Sequence, residues 1–417
     1  MVPVTGYVAR EHVVTVPLDH SDPDGRSLDV FARELVAADR AGDDLPVLLH
    51  LQGGPGGAGP RPVVTEGWID VALRTHRVLL LDQRGTGRSA PVSAATVAGL
   101  DGREIAAYLR HFRADSIVAD AELLRARILG EARWDTLGQS YGGFLTLTYL
   151  SRAPHGLRRC HVTGGIPSPH ASAEDVYRRT FPRMARRTRE FYSRYPADEA
   201  ALRRVAEHLA AHDVRLPDGD RLTVARLRSL GLMLGMNHGM ERLHWMLEEA
   251  WHGAELSARF RYAVMLETGF VDSPIFALQE FIYGQPGRPT RWAAQRQLDS
   301  SPDWAPDADP LLLTGEAMFP WMFADIAALR PFAQAAEELA AYNDWQALYD
   351  LDQLAANEVP LAAAVYLDDV YVDSALQIET LDTIPNARAW ATNEWEHDGY
   401  QDPRVLERLL AMTAGRA

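Results

Sequence analysis

Gly138-Gln139-Ser140-Tyr141-Gly142-Gly143 follows the compact apolar run Trp134 to Leu137 and overlaps Tyr141 to Leu150, whose apolar spacing predicts a helix. A serine between glycines at a strand-to-helix junction has a specific physical reading. The sharp turn lifts the hydroxyl clear of the sheet, and its strained backbone needs small neighbours. The helix that starts behind Ser140 turns its free N–H groups toward any negative charge developing there. Ser140 is therefore a candidate nucleophile, set at the end of a strand that has helices on its flanks.

Outward from this stretch the same alternation recurs. Pro46 to Leu51 and Val78 to Leu81 are short and apolar on both faces, as buried parallel strands are. Ile117 to Leu129 has helical spacing, and Arg159 to Thr163 reads as another strand. Glu11 to Val36 alternates about the turn-rich His20-Ser21-Asp22-Pro23-Asp24-Gly25, a hairpin signal. Strand, helix and strand in alternation predict an α/β fold with a mostly parallel sheet flanked by helices. After Pro167 the rhythm changes. From Ser172 to Arg291 come long Arg- and Glu-rich helical stretches, such as Asp175 to Arg194 and Met240 to His252, with no strand pattern. Pro286 to Pro310 is rich in Pro and Asp, as a connection would be. Strand-like runs return at Val359 to Leu367 and Ala387 to Thr392, and a helix, Pro403 to Met412, follows. The implied organisation is a core over residues 1–167, a helical cap over 168–305 and the rest of the core over 306–417.

The 417 residues are 47% hydrophobic and 24% charged, enough for a large globular core. A net charge of −15, from 57 acidic against 42 basic residues, argues against a nucleic-acid partner. The lone Cys160 excludes an internal disulfide framework and any multi-cysteine metal site. Apart from histidine every basic residue is arginine, so neither a Schiff-base nor a P-loop lysine is available. No run approaches the ~20 apolar residues that cross a bilayer. Met1 to Arg10 lacks the charged and apolar segments of a signal peptide, and a cytoplasmic protein is expected.

A second segment, Leu51-Gln52-Gly53-Gly54-Pro55-Gly56-Gly57-Ala58-Gly59, contains a literal G-x-G-x-x-G, with Asp82 at the end of the next strand. That dinucleotide fingerprint needs a helix opening across the glycines, which Pro55, Pro60 and Pro62 oppose. A loop that supplies backbone donors to an oxyanion fits better. A third constellation completes the chemistry. Serine is a weak nucleophile until a histidine takes its proton, and an acid must orient that histidine. Ser140, then Asp368 or Asp369, then His397 occur in the order used by α/β-hydrolases, each just beyond a candidate strand. His244, Glu248, Glu249 and His252 share a helix face but lack a metalloprotease signature, and no metal or other cofactor is expected.

Several pieces together make the chain resemble the proline iminopeptidases, serine peptidases of the α/β-hydrolase fold, in their longer form. They are Gln52-Gly-Gly-Pro-Gly-Gly57, Asp82-Gln-Arg-Gly-Thr-Gly-Arg-Ser89, Gly138 to Gly143, Asp369-Val-Tyr-Val372 and Glu394-Trp-Glu-His-Asp-Gly399. Gln52 stands where a histidine often precedes the glycines, and Asp373 where other members tend to carry proline. The resemblance favours Asp369 over Asp368 as the acid. It implies acyl transfer by Ser140 with His397 as base, and the backbone N–H groups of Gly54 and Tyr141 as oxyanion donors. It implies small peptides with a free N-terminal proline as substrates. The cationic amine would meet buried carboxylates, for which Glu280 and Glu316 stand in family-like segments together with Tyr283. Gln83 and Arg84 are expected to brace loops. An esterase or amidase of the same fold is the alternative, and homo-oligomerisation is left open.

Overall fold

The computed structural model describes residues 2–4 and 6–415. Its main sheet begins with an antiparallel ribbon, β1 (Val2–Val4), β2 (Tyr7–Pro17) and β3 (Ser27–Ala37). The middle of β2 alternates between exposed and half-buried residues, because one face of this edge meets water. β4 (Val47–Leu51), β5 (Arg77–Leu81), β6 (Trp134–Gln139) and β7 (Leu157–Thr163) follow, and every residue of β4 and β6 is buried. A two-residue hairpin, β8 (Trp251–His252) with β9 (Glu255–Leu256), stands apart. β10 (Leu361–Tyr366) and β11 (Ala387–Thr392) return to the main sheet. The nine strands run in the order β1-β2-β3-β5-β4-β6-β7-β10-β11. All pairings from β5 to β11 are parallel.

Helices cover both faces. They include α1 (Gly67–Leu73), α2 (Gly102–Leu109), α3 (Ala114–Leu129) and α4 (Tyr141–Arg152). α4 is buried along its whole length except at Arg152, so it is the central helix of the core. Cys160 lies on β7, fully buried, and burial pushes its thiol up to about 12. The parallel strands align their C-terminal ends along one edge of the sheet, where open α/β sheets place their ligands. The loops after β4, β6, β10 and β11 meet there.

The insertion opens with α5 (Ala173–Arg194), where Ser172 and Asp175 form a capping box. The helix read from Met240 to His252 ends at Glu248. Trp251 and His252 belong to the β8–β9 hairpin, too short for an alternating pattern to register. No strand of the main sheet occurs between Thr163 and Leu361. Buried residues of the segment after 305, among them Leu311, Phe319, Phe332 and Trp345, share one hydrophobic cluster with the inserted helices and with Ile105, Leu109 and Phe112 of the core. The helical layer thus continues past residue 306, the boundary read from the sequence. Among the described residues, no helix is long and apolar enough to cross a membrane.

Candidate active site

Ser140 follows β6 and caps α4 with φ 54° and ψ −120°, a left-handed backbone held by its surroundings. The glycines around it answer to contact. A Cβ on Gly138 would lie 2.3 Å from the Gly142 carbonyl oxygen, and one on Gly142 would lie 1.9 Å from that of Leu51. Any side chain there would push the elbow off the sheet. Behind Ser140 the Gly143 N–H already donates to the Ser140 carbonyl at 2.8 Å, which leaves the N–H groups of Tyr141 and Gly142 at the start of α4 without an intrahelical acceptor.

His397 reaches Ser140 from the loop after β11, with Nε2 2.8 Å from Oγ. Its Nδ1 lies 2.7 Å from Asp369 Oδ2. A carboxylate only accepts, so Nδ1–H donates to Asp369 and Nε2 is left to accept the serine proton. The Asp369 Oδ1 accepts from the backbone N–H groups of Tyr371 at 2.8 Å and Val372 at 3.0 Å, which locks the acid in place. Asp368 points elsewhere, with its side chain 56% exposed and an arginine 4.0 Å away. Burial is the strongest influence on His397 and works against its charge. The Asp369 carboxylate, by proximity and hydrogen bond, then Glu316 and Asp398, outweigh it and hold its pKa above the ordinary histidine value. Tyr371 packs edge-on against the imidazole, centroids 4.8 Å apart, and its hydroxyl donates to the Leu232 carbonyl.

The glycine loop after β4 passes directly beside Ser140. A Cβ on Gly53 would fall 3.1 Å from that of Ser140. Gly54, at φ 122°, is the next residue, so Gly53 is a neighbour of Ser140 that the sequence alone did not single out. Gln83 Nε2 donates to the Gln52 carbonyl at 2.8 Å, and Arg84 is buried against Asp120, so both brace loops. Asp82 is occupied by Arg61 and by the N–H groups of Gly59 and Arg88. No helix opens at these glycines, since α1 starts only at Gly67, and the dinucleotide arrangement is absent. His244 is bonded to Asp198 at 2.9 Å and stacked on Tyr195, and Glu249 pairs with Arg259.

Glu280 and Glu316 both act by their charge on Tyr177 and Tyr283. Burial pushes Glu280 up to about 7 against the N–H groups of Ala294 and Ala293, which donate to its two oxygens at 2.9 and 3.1 Å. It thereby caps helix Ala293–Asp299. Burial also pushes Glu316 up to about 7, opposed by His397 and reinforced by Asp369. Neither carboxylate makes an ion pair among the described residues; the nearby Arg296 is taken by Glu174. Tyr177 Oη is buried without a hydrogen-bond partner among the described residues. Beside it an apolar cavity of about 210 Å³ is lined by Phe144, Ile166, Val176, Tyr283, Tyr371 and Val372. A serine hydroxyl bonded to an imidazole whose other nitrogen is bonded to a buried carboxylate, at the start of a helix, is an arrangement that can carry out acyl transfer.

Fold and site together define an α/β-hydrolase, and the sequence model of the alpha/beta hydrolase fold family matches residues 46–263. The chain is 47% identical over 413 residues to the proline iminopeptidase of Aeromonas sobria, covering 98% of this chain and 97% of that protein. A proline iminopeptidase of Aspergillus aculeatus is 33% identical over 96% of this chain and 92% of its own. A solved α/β hydrolase from a Medee basin deep-sea metagenome library has a TM-score of 0.45 at 12% identity, covering 94% of this chain and 95% of that one. The chain belongs to the proline iminopeptidase family of α/β-hydrolases.

Proposed function

We propose that this protein is a serine aminopeptidase that releases an N-terminal proline from small peptides through an acyl-enzyme. Ser140 Oγ attacks the carbonyl carbon of the first residue while its proton passes to His397 Nε2. Asp369 holds the imidazole in the required tautomer and stabilises the imidazolium. The oxyanion is met by the N–H of Tyr141, with the α4 dipole behind it, and by the N–H of Gly54. His397 then gives its proton to the departing amine. Water attacks the acyl-enzyme with His397 again as base, and free proline leaves.

The observation that carries this reading is that Glu280 and Glu316, whose carboxyls burial pushes up to about 7, make no ion pair among the described residues. An N-terminal ammonium entering there supplies the missing charge and offsets its own desolvation. Membership of a family whose named relatives are proline iminopeptidases supports the same substrate class. The test is hydrolysis of a proline chromogenic amide, its N-acetylated form, an alanine amide and a short-chain ester. Turnover confined to the free-amine proline substrate and lost in Ser140→Ala supports the proposal. Equal turnover of the blocked amide or the ester sinks it in favour of a general esterase or amidase. A cytoplasmic location belongs to the same proposal, and cell fractionation tests it.

A further inference from the structure

Helix α5 carries arginines at 179, 183 and 187, four residues apart, so all three lie on one face. That face covers the two loops that deliver Asp369 and His397, which leave different strands. Arg183 takes the first loop. Its Nε donates to Asp373 Oδ2 at 2.8 Å and its Nη2 to Ser374 Oγ at 3.0 Å. Its Nη1 donates to the carbonyls of Leu367 at 2.9 Å and of Asp369 itself at 3.4 Å. Arg179 adds a longer contact to Asp373, at 3.5 Å. Asp373 in turn caps helix Ser374–Leu381 through the N–H of Leu376.

Arg187 takes the second loop. Its Nη2 pairs with Glu396, the residue before His397, and its Nε donates to the Leu234 carbonyl at 2.9 Å. The segment after Leu234 closes a ring of contacts. Gly235 O accepts from the N–H of His397 at 3.1 Å. The Asn237 N–H donates to Asp398 Oδ1 at 2.7 Å, and its Oδ1 accepts from the Glu396 N–H at 3.3 Å. Residues 396, 397 and 398 are each tied to the insertion. A guanidinium suits such a clamp because its donors radiate in fixed directions, and Arg183 uses all three of its nitrogens. Both side chains are largely shielded, at 18% exposure for Arg183 and 15% for Arg187, so water competes weakly for these bonds.

We propose that Arg183 and Arg187 are positioning residues that together set the distance and angle between Asp369 and the His397 imidazole. On this view the insertion is half of the catalytic frame and does not lift away from the triad as a lid. The inference rests on the triad assignment made above, although neither arginine bonds to Ser140 or to the imidazole. The charged groups acting on His397 are Asp369, Glu316 and Asp398, with Tyr371 against its ring, and the Arg187–Glu396 pair sits one residue before it in the chain. Changes in charge alone are therefore separated from changes in geometry by removing the pair as a unit.

The test compares Arg183→Met, Arg187→Met, the two lysine variants and the double variant Arg187→Met/Glu396→Gln. kcat and KM are expressed per active site titrated with a fluorophosphonate. The second-order labelling rate of that reagent reads the Ser140–His397 couple without any peptide. Misplacement of reacting groups by a fraction of an ångström to 1 Å costs up to about 100-fold, so kcat and labelling should fall about 10- to 100-fold in the methionine variants, with KM within about twofold. Arg187→Lys should recover part of the loss, and the double variant should be no worse than Arg187→Met alone. An unchanged kcat and labelling rate per titrated site, with only a lower melting temperature, overturns the proposal. Slowed labelling in the variants of an enzyme that ignores proline amides upholds the clamp and fails the aminopeptidase reading instead.

Discussion

The backbone N–H of His397 donates to the carbonyl of Gly235 at 3.1 Å, joining the loop after β11 to the inserted helices. Gly235 serves a second purpose at the same point. A Cβ there would lie 2.3 Å from Tyr371 Cζ, and Tyr371 is the ring packed edge-on against the His397 imidazole. Gly235→Ala should therefore displace Tyr371 and tilt His397. Overpacking of this kind costs about 1–3 kcal/mol. The expected result is a denaturant midpoint lowered by that amount together with a kcat reduced about tenfold, read by urea unfolding and steady-state kinetics. Wild-type values of both would refute the coupling.

Replacing the neighbouring aspartates separates their roles. Asp369→Asn should lower kcat about 10⁴-fold, because an amide in place of the carboxylate favours the wrong imidazole tautomer. Asp368→Asn should change kcat less than twofold, since its side chain is 56% exposed and makes only a 4.0 Å contact. Comparable losses in the two variants would contradict this assignment.

On the proposed function, Glu316 should couple substrate binding to pH and stability. Its carboxyl is held at about 7 in the folded protein, against about 4.5 for an ordinary glutamate. A folded pKa raised in this way contributes stability that is present below about pH 4.5 and lost as pH rises through about 7. Glu316→Gln should accordingly stabilise the protein by about 1–3 kcal/mol at pH 8 and leave it nearly unchanged at pH 4.5. The same variant should raise KM for free-amine substrates more than tenfold. Thermal unfolding at the two pH values decides the first part, and kinetics on free and acetylated substrates the second.

The pH profile of the wild-type enzyme follows from the same groups. His397 must be neutral to accept the serine proton, and its pKa is held above the ordinary histidine value. The acid limb of kcat/KM should therefore lie above pH 6.5, the unperturbed histidine midpoint. Protonation of Glu280 and Glu316, each at about 7, should steepen that limb by weakening amine binding. A single-proton limb at or below pH 6.5 would refute this account.

Glu280 has a structural duty that Glu316 lacks. Both of its oxygens accept from the N-terminus of helix Ala293–Asp299, and Gln in its place keeps a single accepting oxygen. Glu280→Gln should therefore stabilise the protein at pH 8 by about 1 kcal/mol less than Glu316→Gln does, because it weakens the cap, in addition to raising KM. Equal stabilisation of the two variants at pH 8 would show that the cap contributes nothing.

Local patterns made much of this protein legible from its sequence. The hairpin of β2 and β3, the buried runs of β4 to β7 and the helix behind Ser140 follow from apolar spacing and turn chemistry between near neighbours in the chain. Ser140, the Asp368-Asp369 pair and His397 stood out as candidates because each follows a readable strand and their order is constrained by one kind of chemistry. The glycines of the elbow signalled a close approach before the contacting atoms were known. The choice between Asp368 and Asp369 needed more than strand periodicity, because both follow β10 and only the tertiary fold turns one of them toward His397. The extent of the helical layer was equally hidden, since helices of the core and of the insertion carry the same amphipathic pattern. The partners of Arg183 and Arg187 lie 190 and 209 residues away along the chain, at Asp373 and Glu396. An arginine on a helix face signals only that it will seek an acceptor. Which acceptor it finds is decided by how α5 packs over the two catalytic loops, and spacing along a sequence carries no record of that packing.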